Sequence, residues 1–132
     1  MMSNGPITRR SLLKLAGTLA FSVVAVGYRH QPAYNRLLAG RLRSLVPHRA
    51  AAAALGVAYL AQVPAEASRD RLVAKLVEGQ PSLAAFDRSQ RRLGADLARR
   101  IRSDFAAGRT VSLHGWIVSV TEGRLAALVA IG

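Results

Sequence analysis

The side chains that could do chemistry are few, and most are isolated along the chain. His30, His48 and His114 have no carboxylate at metal-ligand spacing, and no Ser-His-acid set or glycine-rich phosphate loop can be read. The chain has no cysteine, which excludes disulfides, thiolate catalysis and thiolate metal sites. The sequence therefore predicts no catalytic site, no cofactor and no metal of its own.

One group of polar residues could still converge in the fold. Asp104, Arg109, Trp116 and Glu122 lie where a long helix is expected to end and a last helix to begin. As a catalytic set, these residues and His114 would be essential to an activity, and a small enzyme with an unrecognised site stays open as an alternative. The favoured interpretation is an Asp–Arg pair, a buried tryptophan and a helix cap.

These residues must be positioned by a mostly α-helical domain of four to five helices. Pro47, Pro64, Gly79, Pro81 and Gly108 separate the periodic segments. The predicted helices cover residues 33–46, 49–62, 68–78, 82–107 (at least from Phe86 or Asp87) and 121–131. Residues 110–118 are strand-like and predict either a small hairpin or an extended crossing segment.

Local patterns add detail to three of these helices. The alanine run 50–54 and Gly56 predict a surface for close helix packing. Ser68 is a candidate N-cap. Ser119 and Glu122 have capping-box spacing, with Thr121 as the competing cap.

The apolar positions predict which helix faces form the core. In the first helix they are Leu37, Leu38, Leu42, Leu45 and Val46. In the longest helix, Leu93, Leu97, Ile101 and Phe105 recur every four residues. The opposite face of that helix is rich in arginine. This face and one aromatic residue are the candidate partner-binding residues: Arg88, Arg91, Arg92, Arg99, Arg102 and Trp116.

Basic charge dominates the chain. Residues 28–132 hold 16 basic and 7 acidic side chains, a net charge of +9, and 17 of the 19 basic residues in the whole chain are arginine. Such charge favours acidic surfaces, including an anionic membrane surface. Nucleic acid is disfavoured as a partner, because no aromatic side chains are interleaved with the arginines.

The N-terminus resembles a twin-arginine export signal, whose pattern is Ser or Thr, Arg, Arg, any residue, Phe, Leu, Lys. Thr8, Arg9, Arg10, Leu13 and Lys14 match it, and Leu12 stands where the pattern prefers Phe. The run that follows, residues 15–27, is shorter than the roughly 17–25 residues of a membrane-spanning helix. Cleavage after Gly27 is predicted, which gives an export signal of residues 1–27 and a single helical domain of residues 28–132. An uncut signal that anchors the protein is the alternative.

A second resemblance lies near the C-terminus. Asp104-Phe105, residues 108–111 (Gly-Arg-Thr-Val), Gly115-Trp116 and residues 119–122 (Ser-Val-Thr-Glu) resemble a segment of small bacterial proteins that carry twin-arginine signals and have no established activity. In that pattern an Asp commonly precedes Gly-Trp, where this chain has His114. Small exported subunits of flavin-dependent sugar dehydrogenases are similar in size, helical content and signal only.

Together these features predict an exported, periplasmic, non-catalytic accessory subunit, or escort, of a larger protein. The resemblance to the twin-arginine signal implies recognition by the twin-arginine translocation machinery and export in the folded state. Folded export suits a cofactor-loaded oxidoreductase as the partner. The alternative function is a membrane-surface protein that is held by an uncleaved signal and by its basic faces.

Overall fold

A computed structural model describes residues 32–78 and 89–132, which form five α-helices and one β-hairpin. The helices are α1 (Pro32–Ser44), α2 (Arg49–Gln62), α3 (Arg69–Val77), α4 (Gln90–Ala106) and α5 (Val120–Ile131). The strands are β1 (Thr110–Leu113) and β2 (Trp116–Ser119), and a 3-10 turn covers Pro64–Glu66. The prediction of a mostly helical fold with a short hairpin is confirmed. The export signal and Arg88 lie outside the described residues.

Serine side chains fix the first turns of three helices. Ser68 Oγ accepts a hydrogen bond from the Arg71 backbone N–H at 3.3 Å, and Ser89 Oγ accepts one from Arg92 at 3.2 Å. Ser89 has extended backbone angles, and α4 begins at Gln90. The earlier start expected at Ser82, Phe86 or Asp87 lies outside the described residues. Ser119 forms the capping box of α5 with Glu122, and Thr121 is not the cap.

The strand-like segment is a hairpin, and a two-residue turn closes it. His114 and Gly115 both have positive φ angles, 50° and 83°, which is the geometry of a type I′ turn. Leu113 therefore pairs with Trp116, and Val111 pairs with Val118. Directly paired residues share a face, so these four side chains lie on one face of the hairpin.

The core is built mainly from leucine, and α5 lies at its centre. Six residues of α5 are buried, and its most extensive packing partner is α2. The other helices and the hairpin contribute the remaining buried side chains of this core: Leu38, Ala39, Leu42, Tyr59, Leu72, Val73, Leu76, Val77, Leu93, Leu97 and Leu113.

Two small residues allow α2 and α5 to pack closely. A Cβ added at Gly56 would overlap the backbone carbonyl of Ala126 and lie 2.8 Å from the nitrogen of Ala127. A Cβ at Gly123 would lie 2.6 Å from Cδ2 of Tyr59. The predicted packing surface is therefore right for Ala52 and Gly56, which are buried. It is wrong for Ala50, Ala51 and Ala54, which are exposed on the other side of α2.

Two of the predicted apolar stripes are wrong at one position each. Phe105 is 47% exposed and Leu37 is 57% exposed. A four-residue step advances about 40° beyond one full turn, so a stripe repeating every four residues rotates away from the core. Leu93 and Leu97 are buried and Ile101 is half-buried, and by Phe105 the rotation has brought the side chain to the surface.

Replacing Gly56 with alanine is expected to destabilise the protein by about 1–3 kcal/mol, because overpacking outweighs the gain in helix propensity of about 1 kcal/mol. The matched control is Gly40→Ala in α1, where an added Cβ would have no described atom within 4 Å. That variant is expected to gain up to about 1 kcal/mol. Urea unfolding curves of the two variants measure this, and a stabilising Gly56→Ala would contradict the packing described here.

Candidate functional site

Asp104 is the centre of a buried polar network at the end of α4. Its Oδ1 accepts a hydrogen bond from Arg109 Nε at 2.9 Å. Its Oδ2 accepts hydrogen bonds from the Thr121 backbone N–H at 3.0 Å and from Thr121 Oγ1 at 2.6 Å. Asp104 is 4% exposed and Thr121 is 1% exposed. The network therefore joins the end of α4 to the first turn of α5 across the hairpin.

The same contacts decide the protonation state of Asp104. Burial raises the pKa of the carboxyl group, but the hydrogen bonds from Thr121 and the Arg109 guanidinium outweigh burial, and the pKa lies below its ordinary value. The carboxylate is thus ionised at neutral pH and accepts three hydrogen bonds. A carboxylate held in this way stabilises structure and is a poor general base.

The four residues that could have converged do not form one site. Asp104 pairs with Arg109, whereas Glu122 accepts a hydrogen bond from the Ser119 backbone N–H at 2.8 Å and completes the helix cap. Trp116 is 71% exposed at the hairpin turn, so the expectation of a buried tryptophan is wrong. Its partner across the hairpin, Leu113, is fully buried, so the core covers β1 at this end of the hairpin and leaves the Trp116 side chain in solvent.

His48 and His114 do not join this network, and His30 lies outside the described residues. His48 and His114 are exposed, and both adopt positive φ angles, the first just before α2 and the second in the hairpin turn. Within residues 32–78 and 89–132 there is no group of three His, Asp or Glu side chains that could hold a metal ion.

The predicted arginine face of α4 is exposed over its described length. Arg91, Arg92, Arg99 and Arg102 are exposed, and Arg99 forms an ion pair with Asp96 at 3.2 Å. The structure brings these four arginines together on one helix face. It places Trp116 on a different element, the hairpin.

Arg100 points away from that face and has a structural role that the sequence did not reveal. Its guanidinium donates hydrogen bonds to the carbonyl of Leu76 and to that of Lys75, the latter at 2.8 Å. These carbonyls belong to the last turn of α3, which has no amide partners for them within the helix. Arg100 therefore closes the C-terminus of α3 and fixes α4 against it.

A second, half-buried network links α2, the 3-10 turn and α5. Arg124 donates to both carboxylate oxygens of Glu66, at 2.9 and 2.8 Å, and the Tyr59 hydroxyl donates to the same carboxylate at 2.7 Å. Burial, together with the hydrogen bond to Glu66, raises the pKa of Tyr59 to about 12. The one signal in the sequence that could have indicated this network is Arg124, the single basic residue of α5.

Among the clefts on the surface of the described residues, one of about 370 Å³ is lined by Gly40, Arg43, Arg49, Val129 and Gly132. Two others lie closer to the networks described above. A polar cleft of about 410 Å³ is lined by Glu78, Asp96, Arg99, Arg100, Ser103, Asp104 and Arg109. Its charges balance, because Arg99 pairs with Asp96, Arg109 pairs with Asp104 and Arg100 bonds to carbonyls of α3. An apolar cleft of about 290 Å³ lies between the α1–α2 connection, the hairpin and α5.

Replacing Asp104 with asparagine is expected to cost about 1–3 kcal/mol, because an amide cannot satisfy all three buried donors. Since the folded pKa lies below the ordinary value of 3.8, this stabilisation is full above that pH and is lost as the pH falls through the folded pKa. The difference in unfolding free energy between wild type and variant should therefore shrink in acid. The control is Asp70→Asn, at an exposed residue, which should change stability by less than about 0.5 kcal/mol. Denaturant unfolding between pH 7 and pH 3 measures both, and a pH-independent difference would contradict the ionised state.

Comparisons with protein-family models, with curated protein sequences and with solved structures find no match for this chain. Among the helices of the described residues, none is both long and apolar enough to cross a membrane.

Proposed function

We propose that this protein is an exported, non-catalytic accessory subunit, or escort, of a larger periplasmic protein. The observation that carries the proposal is the exposure of consecutive apolar residues in the hairpin, Trp116 at 71% and Ile117 at 68%. Tryptophan is enriched among the residues that dominate binding energy at protein interfaces. The two side chains lie on opposite faces of β2, so each face of the hairpin offers one exposed apolar side chain to another protein.

The use of the polar residues supports the same proposal. Of the candidates for an active site, Asp104, Arg109 and Glu122 are held in structural contacts, whereas His114 and Trp116 are exposed. The side chains left facing solvent are those that suit association: the arginine face of α4 and the apolar side chains of the hairpin. Arginine, like tryptophan, is frequent at interface hot spots.

The export signal indicates the kind of partner. By its resemblance to the twin-arginine pattern, the segment around Arg9 and Arg10 implies export in the folded state. Folded export suits a protein that has already bound its cofactor, so an oxidoreductase is the partner that we propose. The escort would then carry the signal for the complex.

The proposal is tested by expressing the full chain with a C-terminal affinity tag in its native host and identifying what co-purifies from periplasmic and membrane fractions. A stoichiometric larger protein is expected. Its export should fall in the Arg9→Lys/Arg10→Lys variant, because lysine lacks the planar donor fork of arginine. A protein recovered alone, soluble and monomeric would overturn the proposal.

The hairpin contact is tested with Trp116→Ala. Because Trp116 is exposed, its loss should change the free energy of unfolding by less than about 0.5 kcal/mol while it reduces recovery of the partner severalfold. Leu37→Ala is the matched control, since Leu37 is an exposed apolar residue on α1. Equal losses in both variants would show general surface adhesion in place of a specific contact.

A further inference from the structure

The apolar cleft is built from half-buried side chains of several elements. Leu45 comes from the α1–α2 connection, Leu55 from α2, Ile101 from α4 and Val118 from β2, and all four are half-buried. The cleft has one carboxylate, Glu122, and this group is occupied in the cap of α5. Its volume of about 290 Å³ suits a few large apolar side chains. Each half-buried lining residue would lose further water contact when the cleft is filled.

Two arginines adjoin lining residues of the apolar cleft along the chain. Arg102 follows Ile101 in α4, about 100° around the helix from it. Arg49 lies between Pro47 and Ala52, which both line the cleft, and Arg49 itself lines the separate cleft with Arg43. Arg49 and Arg102 are exposed, and neither has an acidic partner among residues 32–78 and 89–132. Exposed arginines at these two positions attract carboxylates and disfavour a basic occupant.

We infer that the apolar cleft binds an acidic, amphipathic segment of the partner protein. Its apolar side chains enter the cleft beside Ile101 and Val118, and its carboxylates reach Arg49 and Arg102. An amphipathic helix docked in an apolar groove is a common mode of peptide recognition. This inference rests on the proposed function, to which it adds the chemistry of the partner.

The chain contains its own reporter for this binding event. Trp116 is the single tryptophan, and it pairs with Leu113 on the hairpin face that also bears Val118. Leu113 and Val118 both line the cleft. A segment in the cleft should therefore bury part of the exposed indole and shift its fluorescence to shorter wavelength.

The full chain is titrated with two synthetic helical peptides that share one leucine pattern and differ only in glutamate or lysine on the polar face. The glutamate peptide is expected to bind at least about tenfold more tightly, and less tightly as salt rises. Ile101→Asp should weaken it by about tenfold or more, because a charge in the cleft must be desolvated. Val118→Asp is the second cleft variant, and unfolding curves show that each variant is folded.

The charge contribution is tested with Arg102→Glu against Arg36→Glu. Arg36 is exposed on α1, so both variants change the net charge equally. Arg102→Glu should weaken the glutamate peptide several times more than Arg36→Glu does. Equal weakening would show that only net charge matters, and binding unaffected by both cleft variants would place the peptide elsewhere. Either result overturns the inference.

Two other occupants of the apolar cleft would give different results in the fluorescence titration. If phosphatidylserine vesicles shift the fluorescence and neither peptide does, the surface binds membranes. If the shift grows with protein concentration alone, a second copy fills the cleft. Both outcomes overturn the inference.

The co-purification assay separates this inference from the proposed function. A partner that persists with Ile101→Asp leaves the escort function intact and overturns the cleft as its site. A wild-type protein recovered without a partner overturns the escort function, and the peptide titration then decides the cleft by itself.

Discussion

The close approach of α2 and α5 is the constraint on which the rest of the fold depends. At Gly56 there is no room for even one methyl group, because the backbone of Ala126 and Ala127 fills that space. At Gly123 an added Cβ would likewise lie too close to the ring of Tyr59. The chain has few aromatic residues and no disulfide. Its fold is therefore stabilised by the close packing of the α2 and α5 backbones and by the leucine side chains around them.

A buried network and a half-buried one then hold α5 at separate points along its length. Thr121 joins its first turn to Asp104 in α4, and Arg124 joins its next turn to Glu66 after α2. Burial raises the pKa of Glu66, but the hydrogen bonds from Arg124 and Tyr59 outweigh burial and lower it. Both carboxylates are thus charged at neutral pH, and protonation of either one weakens the attachment of α5. These directional contacts add to the close packing against α2 in fixing the rotation of α5 about its axis.

The sequence predicted local structure well where local chemistry determines it. The bounds of α2, the Ser68 cap and the Ser119–Glu122 capping box all follow from neighbouring residues. The errors arose where distant residues decide the outcome. The four-residue repeat did not indicate that Phe105 is exposed. The residue type of Trp116 did not indicate that its side chain lies in solvent. The pairing of Glu66 with Arg124 joins residues 58 positions apart, and no local pattern could indicate it.

The hairpin turn requires a residue at position 114 that tolerates a positive φ angle. His114 has a φ angle of 50°, a region in which Asn, Asp and His are the enriched residues other than glycine. Asn or Asp could replace His114 and keep this left-handed backbone, although these side chains differ from histidine in charge and in proton chemistry. The turn that presents Trp116 to solvent would then keep its shape.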